Sequence, residues 1–204
     1  MSRESARSSG ELPAASARRS RAAESQASIT GILLVGGASR RFGSPKALAS
    51  LGITTLAERG WRSLRWCDER IAVGKADTPP LPFEVRDDGI DVRAPIAGVV
   101  AGLRYARNEV CVFLPVDAPL VGEDELRALV AGCRDAAVPQ TGPPPGAYRR
   151  CALSVLERRL AGGELALRDA LAELDTAVVE LPLERLANVN TVAELQRLAS
   201  RPGA

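Results

Sequence analysis

Residues 33–46 read Leu-Leu-Val-Gly-Gly-Ala-Ser-Arg-Arg-Phe-Gly-Ser-Pro-Lys. An apolar run stops at Gly36-Gly37, and Arg40, Arg41, Gly43 and Lys46 follow within ten residues. A buried strand that opens into a flexible, cationic loop is a common way for an α/β protein to hold a polyphosphate. Glycines let backbone N–H groups approach phosphate oxygens, and basic side chains balance the charge. Lys46 carries extra weight. Of the 27 Lys and Arg residues, only Lys46 and Lys75 are lysine. A lysine placed there suggests a need for a compact point charge rather than a planar fork. The competing reading is a surface loop with glycine turns and solvated arginines.

The loop fits neither common phosphate template. A Walker A motif needs GxxxxGK[ST], whereas Lys46 lies three residues after Gly43, and GxGxxG is absent as well. This disfavours a P-loop ATPase and a dehydrogenase.

The strand–loop pattern continues outward on both sides. Residues 1–28 are rich in Ser, Ala and Arg, with no apolar period, and are expected to form a disordered extension before a domain at 29–204. Ile29 to Val35, Arg70 to Val73, Phe83 to Arg86, Val110 to Leu114, Ala136 to Pro139 and Ala177 to Leu181 read as strands. Helices are expected over Thr54 to Trp66, Gly98 to Arg107, Glu123 to Cys133, Tyr148 to Leu160, Leu165 to Leu174 and Thr191 to Ala199. Val110-Cys111-Val112-Phe113-Leu114 is apolar throughout, as in a strand buried on both faces. The alternation of strands and helices predicts a parallel or mostly parallel sheet covered on both faces. Gly142-Pro143-Pro144-Pro145-Gly146 is read as a connector, with a rigid lid as the alternative.

Composition removes several chemistries. The chain has no histidine, which excludes Ser-His-Asp and Cys-His catalysis, HExxH zinc sites and any histidine general base. Cys67, Cys111, Cys133 and Cys151 contain no CxxC pair and read as reduced thiols of a cytoplasmic protein. A net charge of +2 gives no reason to expect a nucleic-acid or membrane partner, and no apolar run is long enough to span a bilayer. Catalysis must then work through carboxylates, cations, a metal and positioning.

Asp117 is the carboxylate best placed for this. It follows the apolar strand within Leu114-Pro115-Val116-Asp117-Ala118-Pro119-Leu120, between two prolines that stiffen its backbone. In open α/β sheets, ligands bind beyond the carboxyl ends of the strands, where Lys46 and Asp117 would meet if their strands are neighbours. An Asp facing a polyphosphate is a natural Mg²⁺ ligand, since Mg²⁺ is usually held by one or two carboxylates plus phosphate oxygens. The alternative is a turn or a cap for the helix that begins near Glu123. Two weaker signals are Val85-Arg86-Asp87-Asp88, again carboxylates after a strand, and Asn188-Val189-Asn190-Thr191, where Asn190 or Thr191 could simply cap a helix.

Taken together, LVGGASRRFGSPK at 34–46, PIAGVVAGL at 95–103, FLPVDAPLV at 113–121, YRR at 148–150 and NVNT at 188–191 resemble the MobA-like nucleotidyltransferases, the molybdenum cofactor guanylyltransferases. The resemblance runs from about Ile29 to Leu198. It implies a Rossmann-like three-layer sandwich with a mostly parallel sheet, of the nucleotide-diphospho-sugar transferase type. It also implies that Leu34, Val35, Gly36 and Gly37 contact a guanine nucleotide, that Arg41 and Lys46 hold phosphates, and that Asp87 contacts the nucleotide. Asp117 would ligate Mg²⁺, with Mn²⁺ as a substitute, and Asn188 and Asn190 would lie towards the pterin. Two departures stand out: Gly74 lies near the place of a nucleotide-contacting Asn, and the loop before Tyr148 lacks the His that many relatives carry. Gly36-Gly37 leans towards guanylyl transfer, because cytidylyltransferase relatives more often have Ala-Gly there.

The reaction implied is attack by a molybdopterin phosphate on the α-phosphorus of GTP, with release of pyrophosphate. Such a phosphate has a second pKa near ~6, so at neutral pH it needs no general base, and a histidine-free enzyme suffices. The partners expected are GTP and molybdopterin, with no nucleic acid and no membrane, for a monomer or small homo-oligomer. The alternatives are a cytidylyl- or sugar-phosphate nucleotidyltransferase of the same fold, or a non-catalytic nucleotide-binding relative.

Overall fold

The structure is a computed structural model that describes residues 27–36, 42, 43 and 45–200. The expected extension lies outside these residues except for 27 and 28, and so do Gly37, Arg40 and Arg41 of the cationic loop. Strands β1 (Ile29–Leu34), β4 (Glu69–Gly74), β5 (Val85–Asp87), β6 (Val110–Pro115), β7 (Ala136–Pro139), β8 (Gly146–Arg149) and β9 (Thr176–Val179) form one sheet. Its order is β5-β4-β1-β6-β8-β7-β9. All neighbours run parallel except β8, which is antiparallel to both β6 and β7. A small ribbon, β2 (Ser50–Leu51) with β3 (Thr54–Thr55), turns at Gly52 with φ +66°.

The all-apolar run 110–114 lies at the centre of the sheet, and every residue of β6 is buried. Successive side chains of a strand point to opposite faces, so β1 and β6 each feed two cores. Leu33, Val112 and Leu114 join Leu56 of α1 (Leu56–Ser63), Leu126 and Leu129 of α3 (Glu123–Gly132) and Leu198 of α6 (Val192–Ala199). Ile32, Cys111 and Phe113 join Val99 and Leu103 of α2 (Pro95–Tyr105), Leu156 of α4 (Leu153–Ala161) and Leu171 of α5 (Leu167–Leu171) on the other face. The result is a three-layer α/β sandwich with a mostly parallel sheet.

The helices expected over Thr54 to Trp66 and Leu165 to Leu174 are shorter, at Leu56–Ser63 and Leu167–Leu171, and two further elements differ. The second helix starts at Pro95 rather than Gly98, because a proline at the first helical position gives up only an N–H that has no intrahelical partner. More consequentially, residues 146–149 form β8 instead of opening a helix at Tyr148. A short 3₁₀ turn at Arg150–Ala152 separates this strand from α4. Pairing across the chain decides this: Ala147 registers with Val112 on one side and Ala137 on the other. The Tyr148 ring meets Phe113 edge-on at 5.3 Å.

The glycines of PIAGVVAGL set how closely α2 lies on the sheet. A Cβ at Gly98 would come within 3.0 Å of Leu34 Cδ2, and one at Gly102 within 2.5 Å of Phe113 Cε1. Four residues apart, both glycines face the strands. Gly102→Ala separates two effects. Alanine favours a helix interior by about 1 kcal/mol over glycine, but overpacking a close-packed core costs about 1–3 kcal/mol. Phe113 is fully buried against Tyr148 and has no room to yield, so packing should win. Urea denaturation should show a net loss of up to about 2 kcal/mol; an unchanged or raised midpoint would refute this packing account.

Candidate active site

The chain leaves β1 to build β4 and β5 on one side, then returns to place β6 on the other side of β1. The strand order thus reverses between β1 and β6, and open α/β sheets bind ligands in the crevice at such a point. Pairing continues past the strand ends. Val116 N–H donates to the Leu34 carbonyl at 3.0 Å, and Val35 N–H to the Val73 carbonyl at 2.9 Å. A cleft of about 370 Å³ opens here. Its walls bring together Leu34, Val35 and Gly36 from the first motif, Lys46, Asp117, and Asn188 and Asn190.

Three of these motifs meet at one hydrogen-bonded cluster. Lys46 Nζ donates to Asp117 Oδ2 at 3.2 Å and to Asn190 Oδ1 at 3.2 Å. The Lys46 and Asp117 side chains are only 14% and 29% exposed, so this pair is less screened than a surface ion pair. Lys46 starts a short 3₁₀ turn, Lys46–Leu48, whose buried Ala47 anchors it to the core. Asp117 does not cap the following helix: there the Glu125 carboxylate accepts the Gly122 N–H at 2.8 Å. Its backbone carbonyl accepts the Val189 N–H at 2.7 Å, which ties the end of β6 to the NVNT segment.

Thr191, not Asn190, caps α6. Its hydroxyl accepts the Glu194 N–H at 3.2 Å, and Glu194 Oε2 accepts the N–H groups of Asn190 and Thr191 at 2.6 and 2.9 Å. The bond from the Asn190 N–H, followed by those from Thr191, lowers the Glu194 pKa from its ordinary value. With Thr191 as the cap, the Asn190 side chain is left for the cleft. The proline loop contributes more than a connection, because Pro143 and Pro144 form part of the cleft wall.

A smaller pocket adjoins the cleft and shares Leu34, Gly36, Arg93, Ala94 and Pro95 with it. Asp88 and Lys75 line it; Asp87 lines neither pocket. Asp87 is exposed, with its carboxylate on the Gly89 N–H and its carbonyl accepting the Tyr105 hydroxyl. The carboxylate that reaches the pocket from this segment is therefore its neighbour. Alternation along β5 and the turn after it puts only one of the pair inward, and the DD doublet alone does not say which. Arg93 and Lys75 lie outside the motifs, and Pro143 lies in the segment read as a connector; the fold brings Arg93 and Pro143 to the cleft and Lys75 to the smaller pocket.

Among the described residues no group of three or more Cys, Asp or Glu side chains could hold a metal by itself. Cysteine chemistry is disfavoured as well. Burial pushes the Cys67 and Cys111 thiols up to about 12 and Cys133 to about 11. The arrangement is a cationic and carboxylate cleft at a sheet's switch point, suited to binding phosphates and neutralising charge.

Known proteins resemble this chain over most of its length. The family model described as the MobA-like NTP transferase domain matches residues 31–178. A molybdenum cofactor guanylyltransferase of Burkholderia vietnamiensis is 33% identical, over 85% of this chain and 97% of that protein. A Deinococcus radiodurans protein described as a probable molybdenum cofactor guanylyltransferase is 34% identical, over 85% of this chain and 95% of its own. The crystal structure of molybdopterin-guanine dinucleotide biosynthesis protein A from Archaeoglobus fulgidus superposes with a TM-score of 0.68 at 27% identity, covering 83% of this chain and 96% of that one.

Thiol accessibility gives a direct check on the site's surroundings. Cys151 is exposed, while Cys67 and Cys111 are buried. A thiol reagent at about pH 8, below the thiolate range of the buried groups, should modify Cys151 first in the native protein and reach Cys67 and Cys111 only on unfolding. Rapid native labelling of Cys67 or Cys111 would contradict the core described above.

Proposed function

This chain belongs to the MobA-like NTP transferase family, and we propose that it is a molybdenum cofactor guanylyltransferase, transferring GMP from GTP to the phosphate of molybdopterin. The single observation that carries this reading is the cluster of Lys46, Asp117 and Asn190 at the β1–β6 switch point. The guanylyltransferase relatives are 33–34% identical over nearly their full lengths, whereas the Thermus thermophilus cytidylyltransferase, aligned over a similar length, is only 17% identical and shares the architecture alone.

In this reading the backbone of Leu34, Val35 and Gly36, continuing to Gly37, receives the nucleotide. Its base enters the smaller pocket towards Asp88, which takes the role expected of Asp87. Lys46 and Arg41 hold the triphosphate, and Asn188 and Asn190 face the pterin. The acceptor phosphate oxygen attacks the α-phosphorus in line, the bond from that phosphorus to the bridging oxygen breaks, and pyrophosphate leaves. The attacking phosphate is already largely deprotonated near neutral pH, because its second pKa is ~6. The work left to the protein is positioning and charge neutralisation.

The residues present fit a divalent cation. Asp117 supplies one carboxylate at the cleft beside a lysine that also serves phosphates, and a hard ion such as Mg²⁺ takes its remaining ligands from phosphates and water. When bound, Mg²⁺ or Mn²⁺ would offset charge that builds up on the phosphates. Among the described residues no helix is long and apolar enough to cross a membrane.

Asp117→Ala and Lys46→Ala should each lower transfer by about 100-fold or more, the scale of removing a charge-stabilising group at a transition state. Circular dichroism should still report a folded protein. The check is pyrophosphate release with GTP, molybdopterin and Mg²⁺. Normal turnover by either folded variant would sink the assignment, and tighter binding of CTP than of GTP would favour the cytidylyl alternative.

A further inference from the structure

We infer that Lys75 is a positioning residue for base selection, holding the loops after β4 and β5 as one wall so that Asp88 presents a fixed acceptor to the nucleotide base. This rests on the reading above that the base occupies the smaller pocket.

Lys75 is the second of the chain's two lysines and, like Lys46, it is nearly buried, at 12% exposure. An ammonium carries three N–H donors. Here they meet Asp88 Oδ1 at 2.8 Å, the Val92 carbonyl at 2.8 Å and the Ile90 carbonyl. The segment 88–92 is thus folded around one cation. Asp88 is bound on two further sides: its N–H donates to the Gly74 carbonyl at 2.9 Å, and Oδ1 accepts the Ile90 N–H at 2.9 Å. Lys75 itself is held by its own N–H, which donates to Thr78 Oγ1 at 2.9 Å. The wall reaches the nucleotide loop directly, since a Cβ on Gly36 would lie 3.2 Å from Gly74 Cα and 3.4 Å from Lys75 N. Beyond Val92 the chain continues as Arg93, Ala94 and Pro95, which line both pockets.

A purely stabilising role does not account for this arrangement. A buried ion pair is a poor source of net stability compared with apolar residues of similar volume, but it constrains orientation. Both bonds to the Asp88 side chain fall on Oδ1, and Oδ2 has no hydrogen-bond partner among the described residues. An ionised carboxylate accepts only. A fixed acceptor favours a base edge that presents adjacent N–H donors, as guanine does, over one that presents a ring-nitrogen acceptor, as cytosine does. Sites built on polar pairing discriminate strongly because the wrong ligand leaves a buried group unpaired. Gly74 is compatible with this: a Cβ there would lie 2.5 Å from Thr78 Oγ1, so the loop leaves no room for a side chain beside the lysine clamp.

The test is calorimetric titration of the full chain with GTP and with CTP, each with Mg²⁺, for the native protein and for Lys75→Met. Affinity for GTP should fall about tenfold or more, while affinity for CTP changes less than about threefold, so selectivity collapses. Lys75→Arg, which keeps the charge and the donors, should recover part of the preference. Equal loss for both nucleotides, no loss for either, or no recovery with arginine beyond that of Lys75→Met would overturn the inference. If Lys75→Met does not fold, Lys75→Gln, which loses the charge but retains an amide donor, is read by the same criteria. A native protein without any preference for GTP would refute the guanylyl reading, and this inference with it. A native preference that survives in the variants would refute the inference alone.

Discussion

In the parallel pairing of β1 with β6, Leu34 lies opposite Pro115, and the ladder runs one bond further, from the Val116 N–H to the Leu34 carbonyl. Both strands are buried on both faces and end together, so the glycine-rich loop and the proline-flanked aspartate emerge side by side. That register delivers Asp117 to Lys46 across 71 residues of sequence. A shift of one residue would turn the whole apolar set of β6 inside out, exchanging Phe113 and Cys111 with Val112 and Leu114 between the two cores. Core packing therefore holds the site geometry in place.

The edges of the cleft rely on the same economy of polar contacts. Both lysines sit in nearly buried positions against an aspartate, one at the end of β1's loop and the other at the end of β4. The Lys46 pair faces the larger cleft and the Lys75 pair closes the smaller one. With no histidine in the chain, these two pairs carry much of the charge chemistry available at the strand ends. A low local dielectric makes each of them sensitive to loss of its partner.

The NVNT segment illustrates how one motif divides its labour. Thr191 and Glu194 satisfy the first turn of α6, and the Asn190 N–H joins them, so the asparagine side chain stays available to Lys46. The helix cap and the contact to Lys46 are both served because adjacent residues of an extended segment point in different directions.

Much of the fold was legible in the amino-acid order. Hydrophobic runs of strand length, alternating with amphipathic stretches, already specify layers and a mostly parallel sheet, because burying both faces of strands such as 110–114 requires helices on each side. Glycines and a lysine after an apolar run mark a candidate site for equally local reasons, and Asp117 announces itself by its prolines. Tertiary structure alone decided the rest. Residues 146–149 became a strand because β6 and β7 each offered an edge, and no local period reports the existence of a distant partner. Asp88 rather than Asp87 faces the pocket because Lys75 and the Gly74 carbonyl bind it there, and two identical neighbours in sequence differ only in what surrounds them. The cleft's proline wall and Arg93 likewise arise from strand order, which places together loops that the chain keeps far apart.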